Sequence, residues 1–267
     1  MADNACAIVD VVEFEVQDYV TRDLLFSVDY ATSVGLNTDA DKLDIRGGPG
    51  MPIRITAHHT RNANFTSELP LVDINALGVK LGKKVVTAAA TAPKSEKLIV
   101  DENNTVTLKE KPLSNTLKVY VLEANGRDPK NELKVGAPAT KEDEYSISDK
   151  VITVNTAVTK DTLIKVLYDY TTSEGAQLAR LTANDFPKYC RITGTGYRLD
   201  ESGNNAPVSF IVYRCSPDAD FEIIFKGGEA TNITFNGTMS PALVGTDNTY
   251  FDIIYLPVET AEESGGS

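Results

Sequence analysis

The chain has 267 residues, enough to bury a sizeable core in one large domain or two small ones. Its hydrophobic and charged fractions, 42% and 24%, are those of an ordinary globular protein, and no stretch approaches the roughly 20 consecutive apolar residues that cross a bilayer. The formal net charge of -12 repels nucleic acid at long range, which argues against a DNA- or RNA-binding module and suits a surface that nucleic acid must pass without sticking.

The opening segment MADNACAIVDVVEFEV has no early Lys or Arg and is broken by acids, so it does not read as a secretory signal. Strand signals begin with Phe26, Val28 and Tyr30 alternating with polar neighbours. A long, polar, glycine-bearing connection from Asn37 to Pro52 follows, and Ile53, Ile55 and Ala57 resume the alternation of a half-buried strand. Ser67 to about Lys84 is the one convincing helix: Leu71, Ile74, Leu77 and Val79 or Leu81 form a stripe, with Pro70 in the first turn and lysines at the end. The stretch TAAATAPKSEK reads as a linker, and from Lys97 to Thr172 a run of short strands has the rhythm of a small immunoglobulin-like module. Ser173–Leu181 suggests a brief helical turn. The sequence therefore predicts a mainly β fold, organised as 1–88 and 173–267 forming a core, with 89–172 inserted between them.

Further on, KYCRITGTGYRLD and APVSFIVYRCS flank a hairpin turn signal at Glu201–Asn204. With Ser202 and Gly203 as a two-residue loop, paired residue numbers sum to 405, which sets Cys190 opposite Cys215. The three cysteines are too few and too scattered for a disulfide scaffold, which fits synthesis in a reducing cytosol with the pair as reduced thiols filling a sheet face. Phe221, Ile223 and Phe225 predict one more strand.

Chemistry-bearing constellations are scarce. His58 and His59 are adjacent on a strand and face opposite ways, so they do not chelate one metal together. Arg46-Gly47-Gly48-Pro49-Gly50 leads into a strand rather than a helix, and Pro49 and Pro52 remove backbone donors, so it reads as a turn rather than a phosphate cradle. Asp39, Asp41 and Asp44 lack the glycine and the closing glutamate of a calcium loop. No nucleophile motif supports a triad. The reading is a structural protein rather than an enzyme, without catalytic residues, cofactor or metal.

Several blocks, in order along the whole chain, resemble the major tail tube proteins of long-tailed bacteriophages. Asp44-Ile45-Arg46-Gly47-Gly48-Pro49-Gly50 resembles their glycine turn ahead of a strand, and Ser67–Gly82 their short helix. Asp185-Phe186-Pro187-Lys188-Tyr189 with Ile192-Thr193-Gly194 is similar to the strand before their hairpin, and Asp220–Ile223 and Ile233–Gly237 to their closing strands. The resemblance implies a tail-tube-type β-sandwich or barrel core with one flanking α-helix and an inserted immunoglobulin-like β-domain. It further implies hexameric rings stacked into a tube, the conduit for DNA ejection, in which genome DNA passes without specific binding. Implied partners are other tail proteins such as tape measure, terminator, baseplate and sheath. There is no membrane partner, and the product is a virion component made in the host cytoplasm. The Asn37–Pro52 connection becomes the candidate inter-ring loop, with Asp39, Asp41, Asp44, Arg46, Gly47, Gly48 and Gly50 as its residues. Another virion part (tail terminator, baseplate or capsid decoration) and a surface adhesin or glycan-binding module are the competing readings; the second lacks Trp for sugar stacking.

Overall fold

The structure is a computed structural model that describes residues 6–201, 203–228 and 232–257. In chain order the first elements are β1 (Cys6–Asp18), β2 (Leu24–Val28), β3 (Ser33–Arg46), β4 (Ile53–Leu69) and α1 (Ile74–Lys80). Then come β5 (Val86–Thr87), β6 (Thr91–Ile99), β7 (Thr105–Thr107), β8 (Lys118–Leu122), β9 (Pro129–Val135), β10 (Glu144–Ser148), β11 (Val151–Val154), β12 (Leu163–Thr171) and β13 (Gln177–Leu178). The last are β14 (Cys190–Asp200), β15 (Asn205–Pro217), β16 (Ile233–Thr234), β17 (Gly237–Met239), β18 (Ala242–Val244), β19 (Asp247–Thr249) and β20 (Phe251–Tyr255). The fold is mainly β with one short α-helix among the described residues. Two compact units divide it: residues 1–85 with 179–267, and residues 86–178.

In the first unit the strands are ordered β16-β4-β17-β15-β14-β1-β2, with β20 added to β15 and β3 to β4. The register lines up residues in rows across five strands. Phe26, Val16, Ile192, Val212 and Phe251 form one row, and Val28, Phe14, Gly194, Phe210 and Ile253 the next. Phe14, Val16, Val28, Ile192 and Val212 in these rows are fully buried, each contributing about 1.5–3 kcal/mol by leaving water. Phe14 meets Phe65 edge to face at 5.7 Å, and Phe26 meets Phe235 at 5.1 Å. Gly194 is required by packing: a Cβ there would lie 2.3 Å from the Phe210 ring and 3.0 Å from the Glu13 carbonyl oxygen.

The helix is shorter than its sequence pattern. Residues 67–69 end β4, and helical backbone begins only after Asp73, whose carboxylate accepts from the Asn75 amide at 2.7 Å and caps the first turn. Pro70 is thus outside the helix. The last lysine, Lys80, is buried rather than solvated: its ammonium donates to the Thr234 carbonyl at 3.0 Å, and burial pulls its pKa down. Gly82 ends the helix at φ +71, and a Cβ on it would come within 2.2 Å of the Phe186 carbonyl oxygen.

Cys190 does pair with Cys215, but through a different register than a two-residue loop would give. From Ile192–Val212 to Leu199–Asn205 the partners sum to 404, and a bulge between Cys190 and Ile192 restores the offset. Asp200 and Asn204 close the turn; Ser202, expected in the two-residue loop, lies outside the described residues. Both cysteines are buried and free.

In the second unit the sheet order is β6-β12-β8-β9-β10-β11-β7 around a core that includes Val119, Ile152, Ile164 and Val166. The predicted linker TAAATAPKSEK is largely strand: from Thr91 it pairs with β12, because the partner strand supplies the hydrogen bonds its weak propensity does not. No helical turn forms at Ser173–Leu181; instead Gln177 and Leu178 pair antiparallel with Thr87 and Val86. Glu96 is buried there, its carboxylate accepting from the Tyr168 hydroxyl and the Lys109 amide, and Tyr168 is pushed up to about 12 by burial and by that hydrogen bond.

Candidate assembly surfaces

Of the residues of the expected inter-ring loop, Gly47, Gly48 and Gly50 lie in a turn and the other four do not. Asp39, Asp41, Asp44 and Arg46 sit on β3, paired with Asn62, His59, Thr56 and Ile53 of β4. The segment is a two-stranded arm, because Thr38–Arg46 and Ile53–Arg61 satisfy each other's backbone groups. Only Gly47–Pro52 turns. There the Met51 amide donates to the Gly48 carbonyl at 3.0 Å, and Arg54 Nε donates to the Gly47 carbonyl at 3.0 Å. Gly48 and Gly50 have φ of +86 and +79, which only glycine adopts without strain. The Thr56 hydroxyl donates to Asp44 at 2.7 Å, so this carboxylate braces the arm rather than waiting for a cation.

The alternation predicted for Ile53, Ile55 and Ala57 is present, but its apolar side is not half-buried. Leu43, Ile45 and Ile55 share one face of the arm and are 56%, 48% and 59% exposed. A two-stranded ribbon is marginal in water on its own, and one with a solvent-facing apolar stripe is built to be covered. Leu43 and Ile45 escaped the sequence reading because the acids around them made the segment look like a solvated connection.

The second surface is the polar face of the five-strand sheet. Ser27, Glu15, Thr193, Ile211 and Asp252 lie in one row across it, and Glu13, Thr195, Ser209 and Ile254 in another. Arg191 donates to Gln17 at 3.0 Å, and the Tyr213 hydroxyl donates to Asp252 at 2.6 Å. That hydrogen bond raises the Tyr213 pKa, while burial and then neighbouring Arg22 lower that of Arg191. Three carboxylates (Glu13, Glu15 and Asp252) and no cation stand in these two rows, which leaves them net negative; Arg191 and Arg22 lie beyond them, at the Gln17 end. The outer edges of this sheet segment, on β2 and β20, are unpaired among the described residues, a liability for a free chain and an opportunity for pairing with another copy. Sequence reasoning missed these residues; the signal was the alternation Glu13, Glu15, Gln17 opposite Phe14 and Val16.

His58 and His59 lie on opposite faces of β4, beside Lys42 and Asp41. Among the described residues no group of three or more His, Cys, Asp or Glu side chains is placed to hold a metal ion, and no helix is long and apolar enough to cross a membrane. The segment Phe221–Phe225, expected as a strand, has no regular structure: among the described residues β15 ends at Pro217, opposite Gly237 of β17.

Among the described residues the chain is mainly β, with unpaired sheet edges, an exposed ribbon and one polar, acidic sheet face, and its match to a tube-protein family makes it a structural protein of the tail tube type. The chain belongs to the YomU/Tube protein family, whose profile matches residues 6–249. No curated protein matches it.

Proposed function

We propose that this chain is the major tail tube protein of a long-tailed phage: hexameric rings stack into the tube through which DNA is ejected. The observation that carries the reading is the five-strand sheet with an apolar inner face, an acidic outer face and unpaired outer edges. Joining β2 of one copy to β20 of the next removes those edges by closing a barrel, and places Glu13, Glu15 and Asp252 on its wall. A wall of like charge repels the phosphate backbone, so DNA slides without binding. The β3–β4 arm, from Asn37 to Pro52 with its return strand, is then the contact between successive rings, its Leu43–Ile45–Ile55 stripe covered by the neighbour. Residues 1–88 and 173–267 are the tube core and 89–172 an immunoglobulin-like insertion. Tape measure, terminator, baseplate and sheath proteins are the partners of such a tube in the virion.

The test is electron microscopy and sedimentation velocity of the full chain across a concentration series. Rings of six copies that lengthen into tubes as concentration rises are the expected result. A monomer that stays a monomer at the highest soluble concentration refutes the reading; rings that form and never stack point instead to a terminator-like cap.

A further inference from the structure

Two apolar features at opposite ends of the first unit are unexplained by its core. One is a knob. β15 hands the chain to the segment after Pro217 beside Gly237 of β17, and Asp218 and Asp220 lie close enough to Lys80 of α1 to raise its pKa against the effect of burial. On this segment Phe221 and Ile223 are half-buried, whereas Phe225 is 97% exposed and Ile224 beside it is exposed too. The other is a socket. Near the Asp200 end of β14, an open pocket of about 210 Å³ is lined by Ile8, Val11, Leu36, Val208, Phe210 and Ile253. It exists because Gly196 places no side chain among them, and it has to stay glycine: a Cβ there would lie 2.4 Å from the Asp10 carbonyl oxygen. An apolar cavity of about 150 Å³ already accepts benzene, so this one takes an aromatic ring.

We propose that Phe225 of one copy seats in this pocket of a second copy. The size and apolar lining fit the ring, and a side chain 97% exposed in the single chain has nearly all of its apolar surface left to bury. Knob and socket lie at different ends of one molecule. β15 runs between them, from Val208 at the pocket to Pro217 at the root of the knob segment. A contact joining them is therefore heterologous: it leaves a free knob and a free socket, and so propagates to further copies rather than ending in a closed pair. The proposal rests on the reading that copies stack, and adds a second point of ring-to-ring contact to the arm.

The test uses full-length protein with two readouts. In the first, a peptide of residues 219–228 carrying 4-fluorophenylalanine at position 225 is titrated with Phe225→Ser protein and followed by fluorine NMR. A shifted or broadened signal that Ile8→Trp at the pocket rim abolishes is the expected result. No change, or a change that Ile8→Trp leaves intact, overturns the assignment, and a signal that emerges only after deleting residues 258–267 gives the pocket to that segment instead. In the second, Phe225→Ser raises the concentration needed for stacking by about 10- to 100-fold per contact, the worth of one buried Phe. Peptide binding without tubes from the unaltered chain upholds the contact and sinks the stacked-ring reading. Tubes that Phe225→Ser leaves unchanged, with no peptide signal, sink the contact alone.

Discussion

Replacing Leu43, Ile45 and Ile55 together by threonine separates assembly from folding. Threonine has the β-branched shape that a strand favours, and the arm's backbone ladder is untouched, so the ribbon persists. The three side chains are 56%, 48% and 59% exposed in the isolated chain and touch little that could unfold. Surface substitutions of this kind stay within about 0.5 kcal/mol of neutral stability. Full burial of a Leu or Ile contributes about 1.5–3 kcal/mol, so covering the remaining half of each contributes about 1 kcal/mol, or about 3 kcal/mol per arm. That is roughly a 100-fold change in the affinity of each arm for its neighbour, multiplied around a ring. The assay pairs urea denaturation of the dilute chain with electron microscopy of the concentrated one. The expected outcome is an unchanged unfolding midpoint, rings still visible, and no tubes at concentrations that give tubes from the unaltered protein. Tubes of ordinary length from the triple variant would refute the role of the arm. A large fall in the unfolding midpoint would show that the stripe is covered within the chain.

Gly82→Ala forces a side chain into a left-handed backbone and against the Phe186 carbonyl, so a loss of more than about 2 kcal/mol is expected in urea denaturation. Gly175→Ala, with open space around it, is the control and changes little. Tyr168 has a folded pKa of about 12 against an ordinary value of 10.0, so its contribution is complete below pH 10 and is lost as pH rises through 12. Melting curves of the unaltered chain should fall across that window, with Tyr168→Phe flattening the fall; identical slopes would refute it. Cys190 is buried, and its thiol is pushed well above the usual range by the hydrogen bond with Cys215 and by burial. Iodoacetamide at neutral pH should therefore label half-exposed Cys6 in the native chain and all three cysteines after denaturation, and native labelling of Cys190 would count against the packing described.

What sequence made legible was what local chemistry decides. Alternation in Leu117–Val121 and Ile164–Tyr170 became β8 and β12, and the Cys190–Cys215 pairing came out right although a bulge rather than a two-residue loop produces it. The misreadings have a common origin in long-range pairing. Thr91–Lys97 carries weak strand propensity but lies against β12, and Thr38–Arg46 looks like loop but lies against β4, so tertiary hydrogen bonding outvotes composition. Phe221–Phe225 is the opposite case: a good strand pattern that takes no regular structure. The helix began late because Ser67–Leu69 were already held in β4 by β3 and β16, which left Asp73 to cap the first turn. The acidic sheet face was hidden for a geometric reason, since Glu15, Thr193 and Asp252 are far apart in sequence and meet only through register.

The pairing of Val86–Thr87 with Gln177–Leu178 has an architectural consequence. The two chain ends that bound residues 88–176 stand one strand spacing apart, about 4.8 Å, and are already hydrogen-bonded to each other. Such a pair of strands is a socket for cargo: any domain whose termini lie side by side meets the same junction, and a tight turn meets it equally well. A lineage could thus exchange, lose or regain the second unit without rewriting Phe14, Phe65 or their neighbours. The junction would let the two units answer to separate selective pressures.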